Sequence, residues 1–216
     1  GLKNGWNKKV SKRAALIWLL NPLTLYSAII MGQNDILAIF PFLIGLYFYN
    51  NLPFLAFLFF GASGAIKSYP LIWAIVLGLI YPKGNWFKKL LLIGTTLMVY
   101  LVTMSPYINE NYFRQEVIYS GLSIRMFESA IDIGFGEKLL IVPALLVLIT
   151  LIAINKKLGN TFEGRMVVLL TVTLSVLGFT HFHPQWFLWI MPFGSFVLTL
   201  SKNRWWFWSL IASIVV

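Results

Sequence analysis

The chain has 216 residues, of which 59% are hydrophobic, 17% aromatic and only 11% charged. A soluble domain has about a quarter of its residues charged, so this balance argues against one and for a membrane protein. A net charge of +10 would point to nucleic acid in a soluble protein, but here the basic residues lie between apolar runs and nucleic acid is not an expected partner.

In chain order, apolar segments are expected at about 14 to 31, 36 to 49, 53 to 66, 70 to 81, 90 to 105, 139 to 155, 166 to 180, 186 to 200 and 205 to 216. Runs such as "LLLIGTTLMVYLVTM" and "LLIVPALLVLITLIAI" are apolar on every face, the pattern of helices solvated by hydrocarbon. The expected fold is all-α, a polytopic transmembrane helical bundle of about nine segments, some of them short or re-entrant. It forms a single domain over 1 to 216. The chain starts on a basic segment without Met and stops inside an apolar run, so it reads as an excerpt of a longer protein. The first apolar stretch is followed by "NDI" rather than by small residues, which is no signal-peptide cleavage site. Cysteine is absent, which excludes disulfides and thiolate chemistry.

With residue 1 on the inner side, thirteen of the seventeen basic residues fall inside: Lys3, Lys8, Lys9, Lys12, Arg13, Lys83, Lys88, Lys89, Lys156, Lys157, Arg165, Lys202 and Arg204. Only Lys67, Arg114, Arg125 and Lys138 fall outside, the asymmetry of the positive-inside rule. Residues 53 to 81 test the assignment. Read as one helix kinked at Pro70, they would flip every later loop and erase the bias, so two short helices are expected.

Polar residues that are costly in lipid then collect on the outer side. "MGQND" (31 to 35) ends the first segment, "IKSYP" (66 to 70) the third and "HFHPQ" (181 to 185) the seventh. Asp35, after Gln33 and Asn34, is either a functional carboxylate or part of a turn that caps the next helix. Lys67 either snorkels to the interface or meets an anion such as a phosphate. His181 and His183 would need a third ligand, from Asp35 or a loop acid, to hold a metal. No cofactor is expected, a divalent metal being the less favoured alternative. The loop 106 to 138 has Phe113, Val117, Ile118, Ile124, Phe127 and Ile131 at helical spacing, which predicts amphipathic helices on the membrane surface. These form either a passive cap or a lid whose Arg114 or Arg125 reaches a lipid phosphate.

Three of these stretches together resemble a known family. "LNPLTLYSAIIMGQNDILAIFPFLIGLYFY", "GASGAIKSYPLIWAIVLGL" and "HFHPQWFLWIMPF" are similar, in that order, to segments of the polyprenol-phosphate-sugar-dependent glycosyltransferases of the GT-C superfamily. The bacterial and archaeal mannosyltransferase-like members are nearest and the GPI mannosyltransferases more distant. The resemblance implies a multi-pass membrane enzyme that moves a hexose, mannose favoured, from a polyprenyl or dolichyl phosphate to a glycan, lipid or protein acceptor. The reaction would take place on the extracytoplasmic face of a prokaryotic cytoplasmic membrane, the ER membrane being the alternative. It implies Asp35 as the catalytic carboxylate, with Gln33, Asn34, Lys67, Tyr69, Arg125, His181, His183 and Gln185 as substrate-binding residues. In that superfamily the acid regarded as the base commonly lies in an earlier outer loop, which would precede Gly1. Asp35 is then either the base or a second acid that orients donor or metal. The rival expectation is a transporter or a flippase for lipid-linked sugars, which would have charges lining a path and matching broken helices.

Overall fold

Proline and asparagine punctuate the apolar sequence, and the helices begin where they fall. The computed structural model describes residues 8–118, 126–180 and 186–200. Helix α1 (Lys8–Leu19) is followed by α2 (Pro22–Leu25), whose Asn21 cap accepts the Leu23 and Thr24 N–H groups on its side-chain oxygen. A proline in the first helical position gives up no hydrogen bond, so Asn-Pro opens a helix at little cost. The two helical stretches meet at 49°, and α2 runs on as a π turn, Tyr26–Ile30.

Gly32, at φ +60°, turns the chain into α3 (Asp35–Phe48). Helices α4 (Pro53–Ile66) and α5 (Pro70–Leu79) also start on proline. Between them Lys67 is extended, at φ −146° and ψ 137°. Pro70 has no N–H to offer the Ile66 carbonyl, so a continuous helix would lose a rung there. The expectation of two helices in 53 to 81 is met.

Helix α6 (Trp86–Met104) is capped by Asn85, which accepts the Lys88 N–H, and ends in a 3-10 turn, Ser105–Tyr107. A short α7 (Asn111–Phe113) leads into a π turn, Arg114–Ile118. Strands β1 (Ala130–Gly134) and β2 (Glu137–Leu140) then form an antiparallel hairpin. Last come α8 (Ile141–Asn155), a 3-10 turn at Leu158–Asn160, α9 (Phe162–Gly178) and α10 (Phe187–Leu200).

Helices α3 and α4 form a hairpin that packs on α6, and small or hydroxylated residues let the backbones close in. A Cβ on Gly61 would come within 2.7 Å of the Thr96 carbonyl, so α4 and α6 meet there only because the residue is glycine. Ser63 Oγ donates to the Ala38 carbonyl at 2.6 Å and Thr96 Oγ1 to that of Phe57 at 2.9 Å. Around these contacts the core is aromatic. Phe42 of α3 meets Phe60 of α4, Trp73 of α5 and Phe193 of α10, with ring centroids 4.6, 4.9 and 6.1 Å away.

One expectation is met in part and one needs correction. Among the described residues only Trp86–Tyr107, 22 residues long, is both long and apolar enough to cross a bilayer, and the bent pair before Met31 would add a second. The other apolar helices within the expected nine are shorter. Fourteen residues of α-helix rise about 21 Å against a hydrocarbon core of about 30 Å, and prolines and asparagines rather than span length set their ends. The expected segment at 205 to 216 lies outside the described residues.

The correction concerns the loop after α6. Among its described residues α-helix and the following π turn cover 111 to 118, while Ile131, expected on a helix, is in β1. Alternation of Ile131, Asp132 and Ile133 before a Gly-Phe-Gly turn favours a hairpin. Gly134, Phe135 and Gly136 all have positive φ there, and Asp132 Oδ1 accepts the Gly134 N–H at 2.8 Å. Among the described residues the fold is therefore mainly helical with one hairpin, rather than all-α.

Candidate functional site

The bond from Ser63 to the Ala38 carbonyl fixes which ends of α3 and α4 lie together. Asp35 is three residues before Ala38 and Lys67 four after Ser63, so both stand about one turn beyond the bond at the same end of the bundle. The first turn of α5 and the first of α10 meet there too. Trp189 of α10 donates its indole N–H to Asp35 Oδ1 at 2.7 Å and stacks on Tyr69 with ring centroids 3.6 Å apart. Trp186 stacks behind Trp189 at 5.1 Å. Tyr69 also meets Trp73 edge-on at 4.9 Å, and Trp73 donates to Thr173 of α9 at 2.9 Å.

Asp35 is 1% exposed, and its second carboxylate oxygen has no hydrogen-bond partner. A buried carboxylate is tolerated when both oxygens are satisfied, and leaving one unpaired costs about 1–3 kcal/mol or more. Helix capping does not account for it. The cap of α3 is Asn34, which makes no side-chain capping bond, while the Asp35 carboxylate turns away to Trp189. The phenol of Tyr69, in the connection between α4 and α5, is likewise buried without a partner. Burial, and after it the Asp35 carboxylate, raise its pKa well above the ordinary range, which keeps it a proton donor at neutral pH.

Three more hydroxyls, those of Ser11 in α1, Thr24 and Ser27, stand out by contrast. Thr95, Thr103, Thr150, Thr171, Thr173 and Thr180 each donate to the carbonyl four residues back, the usual way to satisfy a hydroxyl in an apolar helix. Thr24 and Ser27, 3% and 1% exposed, have no partner. Thr24 is in the first turn of α2, just after the break, and Ser27 is in the π turn, where the usual repeat is interrupted. The Ser27 carbonyl accepts the Gln33 N–H at 3.1 Å, which places this pair beside the approach to Asp35.

Of the residues expected at the site, Asp35 and Tyr69 are brought together through Trp189. Gln33 is half-buried, and Asn34 and Lys67 are exposed at the same end. Arg125, His181, His183 and Gln185 lie outside the described residues. Arg114 bonds locally to Asn111. Ser129 Oγ donates to the Phe179 carbonyl at 2.6 Å, so the hairpin is anchored beside the end of α9. The residue of this cluster that sequence analysis does not single out is Trp189. Its signal was an indole N–H in an otherwise donor-free run, since such a group needs an acceptor when buried.

The opposite end of the bundle has a different kind of centre. Arg165 of α9 is 1% exposed and donates to the Gly159 carbonyl at 2.8 Å. Its guanidinium lies 4.8 Å from the Tyr49 ring and 5.9 Å from that of Phe162. Tyr49 donates to the Leu77 carbonyl at 2.7 Å and packs edge-on against Tyr81. Lys83, Lys88, Lys89, Lys156 and Lys157 surround this end, in the connections and first turns near it.

Comparison of the chain with protein-family models, with curated proteins and with solved structures finds no significant match.

Proposed function

We propose that the chain is a multi-pass membrane glycosyltransferase of the GT-C kind that transfers a hexose from a polyprenyl-phosphate carrier on the extracytoplasmic side. The observation that carries this reading is the Asp35 carboxylate, buried, oriented by the Trp189 indole through one oxygen and free to accept a proton on the other. In the proposed reaction an acceptor hydroxyl attacks the anomeric carbon and the bond from that carbon to the phosphate oxygen breaks. Asp35 takes the hydroxyl proton, and the polyprenyl phosphate leaves with the electron pair. Lys67 stabilises the charge gathering on that phosphate, and Tyr69 and Gln33 donate to sugar or phosphate oxygens.

Membrane placement is supported by exposed apolar side chains. Phe87, Met98, Leu101 and Val102 of α6 and Ile29 and Ile30 of the π turn are each more than half exposed. A helix in the core of a soluble protein would have buried them. Sidedness is supported by the segregation of Lys83, Lys88, Lys89, Lys156 and Lys157 to the Arg165 end.

The test is reconstitution of the chain in vesicles with a labelled polyprenyl-phosphate hexose and a lipid acceptor. Label in the acceptor, reduced in Lys67→Met with insertion intact, is the expected result. Because the chain contains no cysteine, single cysteines at 33 and 83 report sidedness directly, and labelling of both from one compartment would refute the arrangement. The unpaired buried carboxylate also favours one rival, a transporter or flippase using Asp35 as an ion or proton relay. Movement of the carrier across sealed vesicles without bond formation would establish that reading instead.

A further inference from the structure

Helices α5 and α8 both run from the Asp35 end toward the Arg165 end, and a groove of about 360 Å³ lies between them on the flank of the bundle. Ile72 and Leu146 line it at one end and Leu79, Ile154 and Trp86 at the other, with the buried Val76 at its floor and the exposed Val147 at its rim. Its one hydroxyl, Thr150, already donates to the Leu146 carbonyl at 2.7 Å. Nothing in the groove asks for a polar ligand, so its occupant is hydrocarbon.

The mouth is different. Lys89 reaches over the Trp86 ring at 4.9 Å and donates to the carbonyl of Leu79 at 2.8 Å, both residues of the groove. An ammonium has three donors, and this bond uses one. Lys88, one residue earlier, lies 5.6 Å over Tyr81. Across the groove, α8 ends just past Ile154 and is followed by Lys156 and Lys157, both exposed. The acid near this end, Glu163, acts on Arg165 instead. An apolar channel that opens under several lysines is complementary to an amphiphile with a negative head.

We propose that this groove binds one acyl chain of an anionic phospholipid, its phosphate held at Lys88, Lys89 and Lys156. The proposal rests on the membrane placement above and not on sugar transfer. It assigns the lysine end a role besides orienting the chain: a lipid clamped along the groove ties α8 to α5, which it otherwise meets only lightly.

The test uses the chain in detergent, exposed to phosphatidylglycerol or to phosphatidylcholine of the same acyl composition, with retained lipid counted by native mass spectrometry. The wild type should retain phosphatidylglycerol about tenfold over phosphatidylcholine. Val147→Trp, which covers the groove from its rim, should cut retention of both lipids about tenfold. Leu148→Trp, on the neighbouring exposed face, should leave retention unchanged. The combined Lys88→Gln, Lys89→Gln and Lys156→Gln variant should lose the preference while still binding. Equal retention of the two lipids by the wild type, or no effect of Val147→Trp, overturns the proposal. Flotation with vesicles separates the two failures. A chain that floats but shows neither preference nor a Val147 effect refutes the lipid site alone, and one that does not float refutes the membrane placement as well.

Discussion

Asp35 and Arg165 are both about 1% exposed, at opposite ends of the same bundle, and they are held in opposite ways. Arg165 is enclosed: a carbonyl accepts from it, two aromatic rings cover its faces, and Gly159 is drawn so close to the Ile80 carbonyl that no Cβ would fit, although its Nε is buried without a partner. Asp35 is steered rather than enclosed. One oxygen is fixed by Trp189 and the other is left without a partner, beside a phenol in the same condition. Each has one buried polar atom without a partner, so the difference lies in enclosure: two rings and a carbonyl around Arg165 against a single indole on Asp35, and the proposed chemistry falls on the less enclosed group.

Substitutions should separate the two roles. The largest effect is expected from Asp35→Asn, which removes the proton acceptor with little change of shape. Transfer should fall by about 10²–10⁴-fold, while the thermal midpoint holds or rises because an unpaired buried charge is gone. Arg165→Ala should do the reverse. Loss of the carbonyl bond, the ring contacts and the filled volume should destabilise by about 3 kcal/mol, read as a drop in denaturation midpoint, with activity per folded molecule preserved. Gly159→Ala, at the closest backbone approach of that end, should cost about 1–3 kcal/mol by the same measurement. Trp189→Phe keeps the stacking on Tyr69 but frees Asp35 Oδ1, and should cost about 1–3 kcal/mol together with a clear loss of transfer. The smallest change is expected from Thr24→Val. The hydroxyl there is buried without a partner, so stability should hold or rise, by up to about 1 kcal/mol. A large loss of transfer in that variant would extend the steered region to α2.

Much of this was legible in the chain, in a way that follows from what each signal physically encodes. Helix starts at Pro22, Pro53, Pro70 and Asn85 are local chemistry, and sequence reading placed α3, α4 and α5 to within a few residues. The gathering of Asp35, Lys67 and Tyr69 at one end followed from alternating direction alone. Span length was not legible, because hydropathy records what surrounds a side chain and not how far a helix rises before a break. The hairpin was missed because Phe127 and Ile131 also fit a helical period, and only the Gly134 to Gly136 turn decides between them. The partner of Asp35 lies 154 residues away. Nothing local in "DILAIF" or "FLWIMP" encodes that contact, which depends on how α10 packs against α3.

The brevity of α3, α4 and α5 has a consequence for the surroundings. Helices that rise about 15–21 Å are poorly matched to an ordinary bilayer. Under the proposed membrane placement, lipids next to them compress or tilt, at fractions of a kcal/mol per ångström of mismatch. That local thinning would bring headgroups and water down toward Asp35 and shorten the distance a carrier phosphate has to descend. In this view the protein shapes the adjoining leaflet to meet its own carboxylate, instead of opening a passage through itself.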